Sequence, residues 1–308
     1  MGLALLFPGQ GTQHAQMLPW LEQSPAARPL LDELATLVGP DWRERLADAQ
    51  WARSNAVAQP LLVGVELAAW SVLAPLLPPA SVVAGYSVGE LAAFAAAGVF
   101  EPRTALSLAV LRAQAMDRSV LGLATGLLAV RDLPMAAIEA WCGRHGLAIA
   151  IRLGPDRAIV GGLATALEAA ADDPAAGSGR VTDIGVRIAS HTPWMQAAVQ
   201  EFAAQLESLR LQAPRSTLVC NVTGSAARAP ADLARCLGAQ IASPVLWDSC
   251  LESVAERNVR CVLEIGPGAT LSTMWRAAHP RIPARSIDEF RSAQAVVDWV
   301  WREAQPGT

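Results

Sequence analysis

Apolar positions in this chain follow two rhythms, short unbroken runs of four or five residues and longer stretches with apolar side chains three and four apart. The short runs Leu3 to Phe7, Ser81 to Ala84, Thr217 to Asn221 and Val262 to Ile265 predict strands, and Ser81 to Ala84 reads as one buried on both faces. Helical spacing predicts helices over Pro25 to Val38, Ala56 to Leu77 (starting near Pro60), Val88 to Ala97 and Pro102 to about Leu121.

The pattern changes over residues 122–189. Gly126 to Val130 reads as a strand, Pro134 to Arg144 as a helix, Ala148 to Leu153 and Arg157 to Gly161 as two strands, Ala164 to Ala171 as a helix and Arg180 to Ile188 as a last strand. Strand, helix, two strands, helix, strand is the order of a ferredoxin-like unit. The small, polar segment Asp172 to Gly179 predicts an exposed loop. The expected organisation is therefore a large α/β domain of residues 1–121 and 190–308, carrying residues 122–189 as a small inserted subdomain.

The longest apolar run, Leu61 to Leu77, contains Glu66, Trp70 and Pro75, which predicts a core helix and no membrane span. With 308 residues, 52% of them hydrophobic and only 17% charged, the chain can bury a large core. A net charge of -4 leaves no footprint for nucleic acid. Every one of the 24 basic residues is Arg, so a fixed positive charge in any site must be a guanidinium unless a histidine is protonated. The five cysteines are scattered with no C-x-x-C spacing, and the strand-like N-terminus has no basic leader. Both features predict a reduced, cytoplasmic setting without a disulfide framework, structural metal or signal peptide.

Chemistry concentrates where strands run into glycines. Gly85-Tyr86-Ser87-Val88-Gly89 sits between a predicted strand and a predicted helix. A serine on such a turn presents its hydroxyl at a helix N-terminus, with the next amide pointing where an oxyanion would form. Five letters of this kind also occur as a plain capped turn, but the flanking strand and helix make Ser87 the candidate nucleophile. Pro8-Gly9-Gln10-Gly11-Thr12-Gln13 and Gly266-Pro267-Gly268 are further glycine turns at strand ends, the first with amides free to donate.

Ser87 needs a base, and the candidates are His14, His145, His191 and His279. His191 is favoured because it stands where the inserted segment hands back to the large domain, a place for a cleft. His279 stays open: with Ser87 and Asp248 it has the chain order of an α/β-type serine hydrolase, although no HGGG-like stretch accompanies it. Arg112, in an apolar helix, either snorkels to the surface, the commoner fate, or meets a buried anion. A Ser–His pair with a fixed guanidinium suggests acyl transfer of a substrate that keeps a free carboxylate.

Taken together, Phe7-Pro8-Gly9-Gln10-Gly11-Thr12-Gln13, Gly85-Tyr86-Ser87-Val88-Gly89-Glu90, Leu111-Arg112, Ser190-His191 and Gly266-Pro267-Gly268 resemble, in order and over nearly the whole chain, the malonyl-CoA:acyl-carrier-protein transacylases. The resemblance implies an α/β-hydrolase-like domain with a ferredoxin-like insert and a ping-pong transfer from malonyl-CoA to a carrier-protein thiol through a malonyl-Ser87 ester. It implies His191 as general base, the amides of Gln10 and Val88 as oxyanion hole, Arg112 on the malonyl carboxylate, Gln240 as the residue whose carbonyl orients the histidine, and Gln59 in the binding cleft. It implies malonyl-CoA as substrate and no bound cofactor. Two positions depart from the family pattern: Tyr86 stands where His is usual, and Arg157 where Gln is common. Tyr86-Ser87-Val88-Gly89-Glu90 resembles the epsilon subunit of malonate decarboxylases, which implies the decarboxylase carrier subunit as partner, with a fatty-acid or polyketide transacylase as the alternative. A third possibility is a non-catalytic module that docks a carrier protein, which would have no need of Ser87, His191 and Arg112 together.

Overall fold

The computed structural model describes residues 2–173 and 180–305. Most of the expected loop Asp172 to Gly179 therefore lies outside the described residues.

Eleven strands are described: β1 (Leu3–Phe7), β2 (Val82–Gly85), β3 (Thr125–Arg131), β4 (Ala148–Gly154), β5 (Arg157–Leu163), β6 (Val181–Asp183), β7 (Thr217–Cys220), β8 (Ser225–Ala227), β9 (Val245–Leu246), β10 (Cys261–Glu264) and β11 (Ala284–Ser286). They form two sheets in a mixed α/β fold. The larger has the order β11-β10-β1-β2-β7-β8, parallel except for β8. Its central strands β1 and β2 are buried along their whole length, as runs without polar positions require. Leu5 pairs with Val83 and Phe7 with Gly85, so both strands end at the same level and release their glycine turns side by side at the carboxyl edge. Clefts form at that edge in parallel sheets, because connections from neighbouring strands diverge there to opposite faces.

Helices cover the large sheet. Asn55–Leu73 is long and apolar enough to cross a membrane by length and composition, yet Leu61, Leu62, Val63, Val65 and Ala68 are fully buried in the core. It begins at Asn55, and Pro60, expected to open it, lies within it. The helix Gly89–Ala96 follows β2, and Pro102–Ser119 packs against it and against Asn55–Leu73. Past residue 192 the sequence reading assigned no helices, and the structure has Gln196–Glu207, Pro230–Ala239, Trp247–Ala255, Thr270–Ala278 and Ala293–Ala304.

The smaller sheet has the order β6-β3-β5-β4-β9, with the helices Met135–His145 and Ala164–Ala171 between its strands in the chain. The last expected strand, Arg180 to Ile188, is cut to Val181–Asp183. The Asp183 carboxylate accepts from the Gly185 amide at 2.8 Å, and Gly185 has φ 73, so the chain turns where the strand was expected to continue. The fifth strand was not foreseen. β9 comes from the far side of the sequence and pairs parallel with β4 through Ile151–Val245 and Arg152–Leu246, so the second sheet is closed by residues outside 122–189.

Candidate active site

Ser87 sits on the turn between β2 and the helix Gly89–Ala96 with φ 55, a left-handed backbone that an L-residue adopts at a cost. The crowding that holds it there shows at the flanking glycines. A Cβ on Gly85 would lie 2.2 Å from the Gly89 carbonyl oxygen, and one on Gly89 would lie 2.3 Å from the Pro8 oxygen. Only glycine lets the elbow, the start of its helix and the Pro8–Gln10 loop approach so closely. Val88 caps that helix, so its N–H belongs to the set a helix leaves without an intrahelical partner. Gln10, on the adjoining loop, is tied down by its own side chain, which donates to Asn55 Oδ1 at 3.0 Å.

The Ser87 hydroxyl meets His191 Nε2 at 2.7 Å. His191 Nδ1 faces the main-chain carbonyl of Gln240 at 2.7 Å. A carbonyl only accepts, so Nδ1 carries the proton and Nε2 is left to accept from the serine. Burial, with the Arg112 charge adding to it, brings the imidazole down to about 3, which keeps it neutral and available as a base. His191 itself has φ 63, so both members of the pair are held in the left-handed region.

Arg112 does not snorkel: it is 2% exposed on the helix Pro102–Ser119. Its Nη1 donates to Gln59 Oε1 at 2.7 Å and its Nη2 to Gln240 Oε1 at 2.8 Å. Burial lowers it to about 10, against the pull of Glu90. A guanidinium has five N–H donors, so two glutamine contacts leave three for a further acceptor. Gln59 is fully buried beneath Arg112 and does not line the outer cleft. Gln240 joins the parts: its carbonyl takes His191, its side-chain oxygen takes Arg112, and its Nε2 donates to Ser87 O at 2.7 Å and Glu90 Oε2 at 2.9 Å.

Two further residues complete the arrangement, and the sequence reading singled out neither. Asn221 accepts from the Ser87 amide at 2.9 Å and donates to Gly85 O at 2.6 Å, clamping the elbow from the end of β7. Glu90 accepts from the Asn221 amide at 2.7 Å as well as from Gln240. A polar side chain directly after the apolar run Thr217 to Cys220, and an acid in the first turn after the nucleophile, were the available signals.

The hydrolase alternative does not assemble. The Ser87 hydroxyl is taken by His191, while His279 stacks on Trp275 at 4.5 Å between centroids and Asp248 faces Arg152 at 3.5 Å. His14 pairs with Asp288 at 2.6 Å, and His145 with Asp173 at 2.8 Å. Tyr86 packs edge-on against Trp247, with centroids 5.0 Å apart, and Arg157 is an exposed side chain beside Asp156. A cleft of about 740 Å³ opens over Gln10, with Asn55 and Asp117 on one wall and Gly185 and Val186 of the inserted segment on the other. His191 lines a second hollow of about 390 Å³ with Cys142, Leu147 and Pro193. His191 thus lies where the large domain meets the inserted segment.

Residues 4–297 match the family model of the acyl transferase domain. A malonyl CoA-acyl carrier protein transacylase of Mycobacterium bovis is 34% identical over 300 residues, covering 92% of this chain and 96% of that protein. The crystal structure of MCAT from Mycobacterium tuberculosis is 31% identical, with a TM-score of 0.87 over 97% of this chain and 99% of that one. The acyl-carrier-protein S-malonyltransferase of Burkholderia pseudomallei is 27% identical, with a TM-score of 0.88 over 97% and 100%.

Proposed function

From the premise that this chain belongs to the acyl transferase family, as one of its malonyl-CoA:acyl-carrier-protein transacylases, we propose that it carries a malonyl group from malonyl-CoA to the prosthetic-group thiol of an acyl carrier protein, through an ester on Ser87. The observation that carries this reading is the contact of Ser87 Oγ with a neutral, buried His191, one glutamine side chain away from the buried guanidinium of Arg112.

Ser87 Oγ attacks the thioester carbonyl as its proton passes to His191 Nε2, and the oxyanion that forms is met by the amides of Gln10 and Val88. The C–S bond breaks, and CoA leaves as a thiol with the proton from His191. The carrier thiol then gives its proton to the same nitrogen, attacks the ester and restores the Ser87 hydroxyl. The Gln240 carbonyl holds the imidazole in one tautomer throughout, the part a carboxylate plays in a triad. Arg112 takes the free carboxylate of the malonyl group on the N–H donors that Gln59 and Gln240 leave unused. Anchoring both ends of the ester favours the carrier thiol over a wandering water.

On this reading residues 1–121 and 190–308 are a hydrolase-like catalytic domain and residues 122–189 a ferredoxin-like subdomain, which the β6-β3-β5-β4 order supports. Malonyl-CoA serves as substrate and no cofactor is required. The relatives support a carrier of the fatty-acid or polyketide kind. The decarboxylase subunit is a second reading that rests on Tyr86 beside the nucleophile.

Incubation with malonyl-CoA should add one malonyl mass to Ser87, and Ser87→Ala should take up none. Absence of label on the wild-type chain refutes the transfer reading. Offering the loaded protein a fatty-acid carrier and a decarboxylase carrier separates the two partners. Arg112→Ala should lower the ratio of malonyl to acetyl transfer by about a hundredfold, the scale of a lost charge-assisted pair. An unchanged ratio removes the role assigned to Arg112.

A further inference from the structure

We propose that Glu90 is a positioning residue for this reaction: through the side-chain amide of Gln240, its carboxyl group sets the guanidinium of Arg112 in the orientation that receives the substrate's carboxylate. The inference rests on the reading of Arg112 given above.

Glu90 is fully buried, three residues after the nucleophile. Its Oε1 accepts from the Asn221 amide at 2.7 Å and its Oε2 from Gln240 Nε2 at 2.9 Å. Both partners only donate at those atoms, so two acceptor oxygens are what the site requires. The consequence passes to Gln240. Its two amide hydrogens go to Glu90 and to the Ser87 carbonyl, which leaves Oε1 to face Arg112 Nη2 at 2.8 Å. Turned over, the amide would set an NH2 against the guanidinium, donor against donor, and an oxygen against the Ser87 carbonyl.

No carboxylate is in ion-pair contact with Arg112 among the described residues, and Glu90 is the acid whose charge opposes its loss of proton. Glu90 reaches Arg112 only through Gln240, which leaves the guanidinium's remaining donors to a ligand. Burial pushes the Glu90 carboxyl up to about 8, while the Asn221 and Gln240 donors and the Arg112 charge pull it down. Buried thiols of Cys220, Cys236 and Cys250 also face it. A buried carboxyl group is costly where apolar packing would serve, and here each of its oxygens holds a different part of the site.

Glu90→Gln keeps the shape and replaces one acceptor with a donor, so whichever way its amide turns, a donor meets a donor. In the full chain, with Ser87 loading from malonyl-CoA and from acetyl-CoA followed by mass spectrometry, the variant should raise KM for malonyl-CoA and lower the malonyl to acetyl ratio of kcat/KM about tenfold or more. Gln240→Ala should lower the same ratio, and Glu90→Gln should lower it no further in the Gln240→Ala background, since the effect runs through that side chain. An unchanged ratio in Glu90→Gln, or an equal loss for both donors, overturns the proposal. If Glu90→Gln does not fold, an unchanged ratio in Gln240→Ala overturns it instead. Arg112→Ala in the same assay separates the failures. A ratio that survives in Arg112→Ala defeats the underlying reading, whereas one lost there but kept in Glu90→Gln defeats only this inference.

Discussion

His191 is buried beside a permanent cation, and the resulting drop to about 3 has a consequence for stability as well as for catalysis. An unfolded histidine titrates near 6.5, so between about 3 and 6.5 the unfolded chain holds a proton that the native one does not. This contribution is complete above pH 6.5 and is lost as pH falls through that window. His191→Gln should therefore unfold at a urea midpoint that falls less between pH 7.5 and pH 4.5 than that of the wild type. An equal fall in both proteins would contradict it. Which of four histidines serves Ser87 was not decidable from position alone. The deciding contact at 2.7 Å joins residues 104 apart in the chain, and no local pattern encodes it.

At the scale of elements, the glycine turns work as a stack. Gly89 is pressed against the Pro8 carbonyl, so Gly89→Ala should displace the Pro8–Gln10 loop and cost about 1–3 kcal/mol, as overpacking does. Ser87 labelling should fall with it, and a variant that is both as stable and as active as wild type would show that the loop is free to move. Glu66, on the helix Asn55–Leu73, is fully buried with neither carboxyl oxygen partnered among the described residues. Burial, and then the Glu264 charge, push it well above 4.5. A folded value raised above the unfolded one gives stability that is full below pH 4.5 and is lost as pH rises through the folded value. Glu66→Met should accordingly stabilise the protein at pH 8 by about 1–3 kcal/mol, with a smaller gain at pH 5, when urea midpoints are compared. A loss at pH 8 would mean that the carboxyl has a use.

The strands and the longer helices before residue 172 were legible because each buries a regular face, whereas the one-turn helices Trp42–Arg45 and Ala49–Arg53 are too short to show a period and were not read. β1 and the helix Ala164–Ala171 match their sequence spans, and most others differ by a few residues. β9, two residues long, has no periodicity to read, and its pairing with β4 exists only once the chain has returned.

For the whole molecule, that pairing adds a strand from beyond the insert to the small sheet, and packing joins the two sheets. Ala4, Leu6, Val82 and Ala84 of the large sheet share one buried cluster with Leu127, Ala150, Ile151 and Ile159 of the small one. The insert has a buried cluster of its own around Ile138, Trp141 and Val160, but its other face is buried only against the large sheet, so calorimetric unfolding should show one cooperative transition. Two separated transitions would mean that the shared cluster does not couple the halves. The same junction carries the site, with His191 just past the last strand of the insert and the cleft walled by both parts.

By itself the sequence determined the strand and helix rhythm, the serine on its glycine elbow and the order of motifs that identifies the family, because these depend on neighbours within a few residues. Only the tertiary structure decided that Arg112 is buried and not snorkelled, that Gln240 contacts His191, Arg112 and Ser87 at once, and that Asn221 and Glu90 hold the elbow. Those outcomes depend on which donors and acceptors are left facing each other when distant segments exclude water, and a buried polar group must then take the partner that packing brings to it.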